Sequence, residues 1–433
     1  MSSYEIAGKE YEAATPELFA VLPGAHEKKI RPLCMCQKPG PGVEMYIARF
    51  EDRFLIKRMP DTAGQHKVGC DSYDAPPELS GLGDVEGSAI QEDLETGRVA
   101  LKFGFAMSKG GQKQAPAPSE KEPDSAKADG KKLTLRATLH YLWEQAGLNR
   151  WSPAMKGKRS WYVIRKYLLQ AATDKVTKGV DLSELLYIPE SFVADQKDAI
   201  QQRRTERIAR IVTSPNGAQR YMLAIGELKE IAPSRYGHKL VLKHLPDYGL
   251  MLDDDVHKRL KKRFEAELEL WNVHEEAHMV AIATASVSRA GIASVVEVAL
   301  MLTTEQWIPF ESEIESTLLK AIAARRYMKC LRYNLPSTRP LATAVLSDTE
   351  RATALYLVPP AVTEAYQAAL DDLLAGSQLD SWVWEPLKGA MPTLPEPLEN
   401  WKKLMASHAG RLPYDVPDDS ANAGERRDAR KST

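Results

Sequence analysis

Three of the four cysteines lie between positions 34 and 70, and a histidine lies among them. Cys34 and Cys36 form one pair of ligand-type residues, and His66 and Cys70 form a second. Between the pairs, "MYIARFEDRFLIKRM" holds two β-prone runs around Glu51–Asp52, the pattern of a hairpin. A hairpin that brings two N/S pairs together suits a closed tetrahedral site, so these four residues are candidate ligands of a structural Zn²⁺. Such a site stabilises a small domain and implies no catalysis. Cys330 stands alone and reads as a core residue.

The stretch "HEEAH" matches the His-Glu-x-x-His pattern of zinc peptidases. On one helix His274 and His278 would share a face and grip Zn²⁺, Glu275 would polarise water, and Glu297 would offer a third ligand. The surroundings argue against this. "MVAIATASVS" reads as a strand, so the helix ends near His278; Glu276 adds a charge where such helices pack inward; Glu297 sits in an apolar, strand-like run. The expectation is that Trp271, His274 and His278 line the inner end of an amphipathic helix.

A third constellation is basic. Between positions 150 and 170 the chain carries Arg150, Lys156, Lys158, Arg159, Arg165 and Lys166 and no acid, with Trp151, Trp161, Tyr162 and Tyr167 interleaved. Two helices joined by an exposed basic loop could dock on DNA or RNA phosphates, while most of the aromatics fill a core. The formal net charge is −1, so attraction to nucleic acid must come from such a patch.

The elements that must position these residues read as an α+β multidomain chain of 433 residues. Residues 1–18 read as a loose leader, and 19–107 as a zinc-stapled β domain. Residues 108–132, rich in Lys, Pro, Gly, Ser and Ala, lack the apolar content to fold and read as a disordered linker. A helical region follows over 133–212, then a mixed α/β segment over 213–310. There "YMLAIGELKEI" and "KLVLKHL" pair as strands and "DDDVHKRLKKRFEAELELW" forms a strong helix. Residues 311–400 read as helix, three strands, helix, strand, and 409–433 as a disordered tail. No GxxxxGK[ST], GxGxxG or GxSxG motif is present. Without a signal-peptide pattern or a long apolar run, the expectation is a cytoplasmic protein with no membrane partner.

The element order of 311–400 is similar to the restriction-endonuclease-like core of the PD-(D/E)xK superfamily. "SEIE", Ser312 to Glu315, resembles the Ser-x-x-Glu helix start of some of its transposase-associated nucleases. That resemblance implies Glu315 and Asp348 as catalytic carboxylates holding Mg²⁺. The third strand, "TALYLVP", lacks the Glu-x-Lys the superfamily places there, which implies a degenerate, non-catalytic domain. Through "RPLCMC", "MYIARF", "LHYLWEQAGLNRW", "GKRSW" and "WIPFESEIE", most of the chain also resembles a bacterial domain-of-unknown-function family carried on integrative conjugative elements and plasmids. That likeness implies a nucleic-acid-associated accessory protein of a mobile genetic element, with other mobile-element proteins as partners. The alternatives are a Mg²⁺-dependent nuclease, a zinc peptidase or a protein-binding adaptor.

Overall fold

The first strands explain why the N-terminus folds instead of forming a loose leader. In the computed structural model, which describes residues 3–50, 53–109, 131–212, 219–235 and 237–398, β1 (Ser3–Ile6) and β2 (Lys9–Glu12) form an antiparallel hairpin. Ala7 and Gly8 turn it at positive φ, 52° and 79°. Ile6 is buried against Leu18 and Leu22 of α1 (Pro16–Glu27), which starts where the Thr15 hydroxyl accepts from the Leu18 N–H. β3 (Leu33–Cys34), β4 (Val43–Phe50) and β5 (Arg53–Arg58) complete an antiparallel sheet of order β2-β1-β3-β4-β5. β4 and β5 are the hairpin expected from the sequence.

Next come β6 (Ile90–Glu92), β7 (Val99–Leu101), α2 (Leu135–Gln145), β8 (Arg150–Trp151) and α3 (Trp161–Ala171). They are followed by β9 (Lys175–Thr177), β10 (Val180–Asp181), α4 (Leu182–Leu185), β11 (Leu186–Tyr187) and α5 (Lys197–Val212). α3 ends at Ala171, and Lys178 and Gly179, both at positive φ, turn the β9–β10 hairpin that follows. β7 pairs in parallel with β9, giving a sheet of order β10-β9-β7-β6. Strand pairing therefore crosses the expected boundary between 19–107 and 133–212. Most of the expected linker, 110–130, lies outside the described residues, as does the expected tail. At the near end of the linker, the Lys109 N–H donates to the Gln219 carbonyl at 3.0 Å.

The segment expected to be mixed α/β contains a closed barrel. β12 (Met222–Ser234), β13 (Gly237–Leu242) and β14 (Leu245–Leu252) form an antiparallel meander. α6 (Asp254–Arg263) and α7 (Glu265–Val273) follow, then β15 (His278–Val287) and β16 (Ala293–Thr303). β16 pairs in parallel with β14 and antiparallel with β15, and β15 returns antiparallel to β12, closing the ring. β11 adds in parallel outside β12. The single helix expected over this stretch divides at Phe264, which leaves helical geometry at φ −118°, ψ 30°, and whose side chain is buried.

The C-terminal part has the expected element order: α8 (Glu313–Ala321), β17 (Tyr327–Lys329), β18 (Ala344–Leu346), β19 (Thr353–Leu357), α9 (Glu364–Gly376) and β20 (Asp380–Trp384). β17 to β19 are an antiparallel meander, β20 lies parallel to β19, and β8 joins the other edge against β17. One apolar core runs from Val85 through the barrel to Trp384. A second packs Cys34, Cys70, Tyr73 and Leu79 against Met328, Val345 and Tyr356 of the C-terminal sheet. Gly81 makes that seam possible: its N–H bonds to the Leu331 carbonyl at 2.9 Å, and a Cβ there would lie 1.9 Å from the Arg332 carbonyl oxygen. Among the described residues no helix is long and apolar enough to cross a membrane.

Candidate functional site

Cys34 ends β3, and Cys36 lies in the 3₁₀ turn that follows. His66 closes a second 3₁₀ turn after β5, and the Cys70 N–H folds back on the Lys67 carbonyl at 2.7 Å. The β3–β4–β5 sheet thus carries both pairs to one place. Their ligand atoms all lie within 4.8 Å of one another. Cys34 Sγ is 3.7 Å from Cys70 Sγ, Cys36 Sγ is 3.5 Å from His66 Nδ1, and His66 Nδ1 is 3.8 Å from Cys70 Sγ. A tetrahedron with metal–sulfur bonds of about 2.3 Å and a slightly shorter metal–nitrogen bond sets neighbouring donors roughly 3.5–3.8 Å apart. A disulfide would need sulfurs at about 2.05 Å; all four cysteines of the chain are free.

The surroundings fit a buried cation. Cys34, His66 and Cys70 are buried, and Cys36 is half-buried. Backbone N–H groups of Lys67 and Ser72 point at Cys36 Sγ and Cys70 Sγ, each at 3.4 Å, as they do toward thiolates. The hydrogen bond shared by Cys34 and Cys70 pushes the Cys34 thiol up and, with help from His66 and the Ser72 N–H, pulls the Cys70 thiol down, so the pair favours one thiolate. The four residues form a cluster that can hold a metal ion. Cys330, by contrast, is buried in the core, and burial pushes its thiol up to about 12.

The structure scatters the six basic candidates. Lys156, Lys158 and Lys166 are exposed. Arg159 is not in an exposed loop: it is buried and donates to the Leu148, Arg150 and Gln306 carbonyls, tying the loop to the barrel's end. Arg150 pairs with Asp74 at 3.2 Å, and Arg165 Nε donates to the Ile188 carbonyl at 3.0 Å. Trp151, Trp161 and Tyr167 are buried, Lys166 Nζ lies 5.6 Å from the centre of the Tyr167 ring, and Tyr162 is 65% exposed.

The carboxylates of the nuclease resemblance are already committed. Asp348 accepts a two-pronged Arg325 guanidinium, both contacts at 2.8 Å, and the Arg326 N–H at 3.0 Å. Glu315 lies 2.8 Å from Lys329 Nζ and accepts the Glu311 N–H at 2.6 Å, capping α8 together with Ser312. Both are buried, and neither belongs to a metal-type cluster among the described residues.

The HEEAH residues do not share a helix. His274 caps the end of α7 and contacts Glu313 at 2.5 Å; His278 opens β15 and contacts Glu227 at 2.7 Å. Glu275 lies in the exposed turn between them, and Glu297, on β16, faces Thr284 in register. His278 stacks on Trp307 with centroids 3.9 Å apart. Burial pushes Glu227 up, but hydrogen bonds from His244, His278 and Lys243 outweigh it and hold this carboxyl well below the usual range.

The match to known families is broad. The model of the family described as protein of unknown function, DUF1173, matches residues 4–387. The chain belongs to that family. No curated protein and no solved structure matches it. The DUF1173 match spans the metal cluster, the barrel and the C-terminal sheet together, in keeping with their shared cores.

Sequence reading missed two groups. Glu227 has one signal, an acid in the otherwise apolar start of a strand. The α5 arginines Arg203, Arg207 and Arg210 recur at spacings of four and three, a helical stripe visible in the sequence.

Proposed function

We propose that this DUF1173 protein is a zinc-stapled, non-catalytic accessory protein that holds nucleic acid in the cytoplasm on behalf of a mobile genetic element. The barrel carries this reading. Its ring order β12-β13-β14-β16-β15, with helices between the third and fourth strands and a parallel third–fifth pairing, is that of the oligonucleotide/oligosaccharide-binding fold. Such barrels bind ligands over their second and third strands and in the loops joining strands one to two and four to five. Here those loops carry exposed Arg235 and Arg289, and Lys239 lies on the second strand, chemistry that favours phosphates over neutral sugars. The mobile-element setting and its partner proteins rest on the sequence resemblance alone.

Zn²⁺ is the ion of choice for the cluster, because three thiolates and an imidazole in a closed tetrahedron suit it. Its contribution there is structural: it ties β3 to the loop after β5.

Fluorescence anisotropy with single-stranded and duplex oligonucleotides at two salt concentrations tests the reading. Wild type should bind at low salt and weaken as salt rises. Arg289→Glu and the pair Lys156→Glu/Lys158→Glu should each reduce affinity and flatten the salt dependence. No binding to either form at low salt would sink the proposal and leave a protein-binding adaptor as the better reading.

A nuclease reading has two observations in its favour. α8 to β20 has the order of the restriction-endonuclease-like core, and Lys329 sits beside Glu315. Mg²⁺ does not fit there, because Arg325 already occupies the Asp348 carboxylate.

A further inference from the structure

A cavity of about 220 Å³ lies between α3, α5 and β11, beside the β13–β14 turn of the barrel. That volume equals roughly seven waters at about 30 Å³ each, room for a phosphate group and part of a nucleoside. Helix geometry sets its character. Ile200, Arg204, Ile208 and Ile211 bury one face of α5, and Arg203, Arg207 and Arg210 project on the neighbouring face. α3 brings Arg165 and Leu169 from the other side, so Leu169 and Ile200 provide apolar lining among five arginines.

The charges around the cavity do not balance. Arg203 is forked onto Glu190 at 2.8–3.2 Å, and Arg204 onto Asp247 at 2.8–3.1 Å. Glu206, the other acid of the lining, accepts from Gln202 and lies 3.8 Å from Arg210. Among the described residues, Arg165 and Arg207 form no ion pair with a carboxylate. Arg165 donates only to the Ile188 carbonyl, and Arg207 to the Ser183 and Leu186 carbonyls. Each guanidinium offers five N–H groups, so both keep unspent donors, and the carboxylates nearest them, Glu190 and Glu184, are paired with Arg203 and Arg220. Arg207 is held below its ordinary range by burial and by the neighbouring Arg210 and Arg165 charges, which the charge of Glu184 only partly opposes. Half-buried guanidiniums that repel one another are stabilised by an anion with several acceptor oxygens, and phosphate matches their fork.

We propose that this cavity binds a nucleotide, with a terminal phosphate held by Arg165 and Arg207 and the nucleoside against Leu169 and Ile200. A free nucleoside monophosphate and the 5′-phosphorylated end of a single strand share this chemistry; the strand-end source rests on the nucleic-acid reading above. A phosphomonoester carries about −1.5 to −2 charges at pH 7, which offsets the two uncompensated arginines.

The test titrates the full-length protein with adenosine 5′-monophosphate and with a short oligothymidylate, with and without its 5′-phosphate. The phosphorylated strand should bind at least tenfold more tightly than the unphosphorylated one. Arg165→Met and Arg207→Gln should each weaken the preferred ligand at least tenfold. Leu169→Trp, which fills the apolar part and keeps every charge, should do the same; it decides the matter if an arginine variant fails to fold by circular dichroism. Binding of the monophosphate that the variants abolish, with no strand binding, supports the cavity and removes the nucleic-acid reading. Strand binding that ignores the 5′-phosphate and survives in all three variants overturns the cavity and leaves that reading standing. No binding of any probe overturns both.

Discussion

The Cys34–Cys70 cluster and the Glu315–Asp348 pair are both groups of metal-type ligands, and their environments differ in one respect. Around the cluster, four donors turn toward each other within 4.8 Å, with N–H groups behind two sulfurs and, among the described residues, no Lys or Arg side chain bonded to them. In the C-terminal sheet, each carboxylate already has its cation: Lys329 for Glu315 and Arg325 for Asp348. Ligand-type side chains are short of positive charge in one place and supplied with it in the other. Donors that converge at these separations suit a metal ion. Donors already paired point to a folded core.

Metal removal should give the largest effect. The protein should purify with about one Zn²⁺ per chain, and Cys34→Ser should lose it, as a closed four-ligand site requires. Binding at such sites supplies on the order of 10 kcal/mol of local folding free energy, so chelation should loosen the loops around Cys36 and Cys70 and lower the melting temperature sharply. Metal content measured by atomic emission, unchanged in Cys34→Ser, would break the comparison from its first side.

The second side is tested at Asp348. Asp348→Ala leaves Arg325 buried without its partner and should cost about 3–5 kcal/mol in denaturant unfolding. Mg²⁺ or Mn²⁺ should produce no robust nucleic-acid cleavage. Metal-dependent cleavage that disappears in both Glu315→Gln and Asp348→Asn would show these carboxylates to be a site after all.

Acid should unfold the protein through groups that belong to neither region. His140 is buried on α2 and accepts the Tyr333 N–H at 3.0 Å; burial pulls it down to about 3. An unfolded histidine titrates near 6.5, so its stabilisation is complete above that pH and is lost as pH falls from about 6.5 toward 3, by up to a few kcal/mol. Glu227, held low by His244, His278 and Lys243, acts in the same direction: its stabilisation is present above about 4.3 and goes as pH falls through its lowered value. Stability measured from pH 7 to 4 should fall, and less steeply in His140→Gln than in wild type.

The smallest expected effect is at His274. Its Glu313 partner is largely exposed, so His274→Ala should cost under about 1 kcal/mol and leave the metal content unchanged. Loss of zinc in this variant, with retention in Cys34→Ser, would move the metal to the HEEAH stretch.

Much of this was legible in the sequence because it is local. The β4–β5 hairpin, the start of α2, the helix–strand order after residue 311 and the two ligand pairs follow from alternation, capping residues and spacing. The reading failed where contacts are distant. Arg159 looks like a loop cation, but its carbonyl partners include Gln306, 147 positions away. The strand read at "MVAIATASVS" is present, but it begins at His278, so this residue pairs with Thr303 of β16 and does not line the end of the helix as expected.

By itself, the sequence determined which residues could bind a metal, where apolar faces recur and that any nucleic-acid attraction must be local. These depend on residue chemistry and short spacings. Only the tertiary structure decided which donors meet and which charges are cancelled. The β3–β5 sheet gathers Cys34, Cys36, His66 and Cys70, Arg325 takes up Asp348, and the barrel closes where Met222 of β12 pairs with Ala285 of β15. Hydrogen bonds and Coulomb energies depend on distance through space, and distance along the chain fixes that only within a few turns of helix or one hairpin.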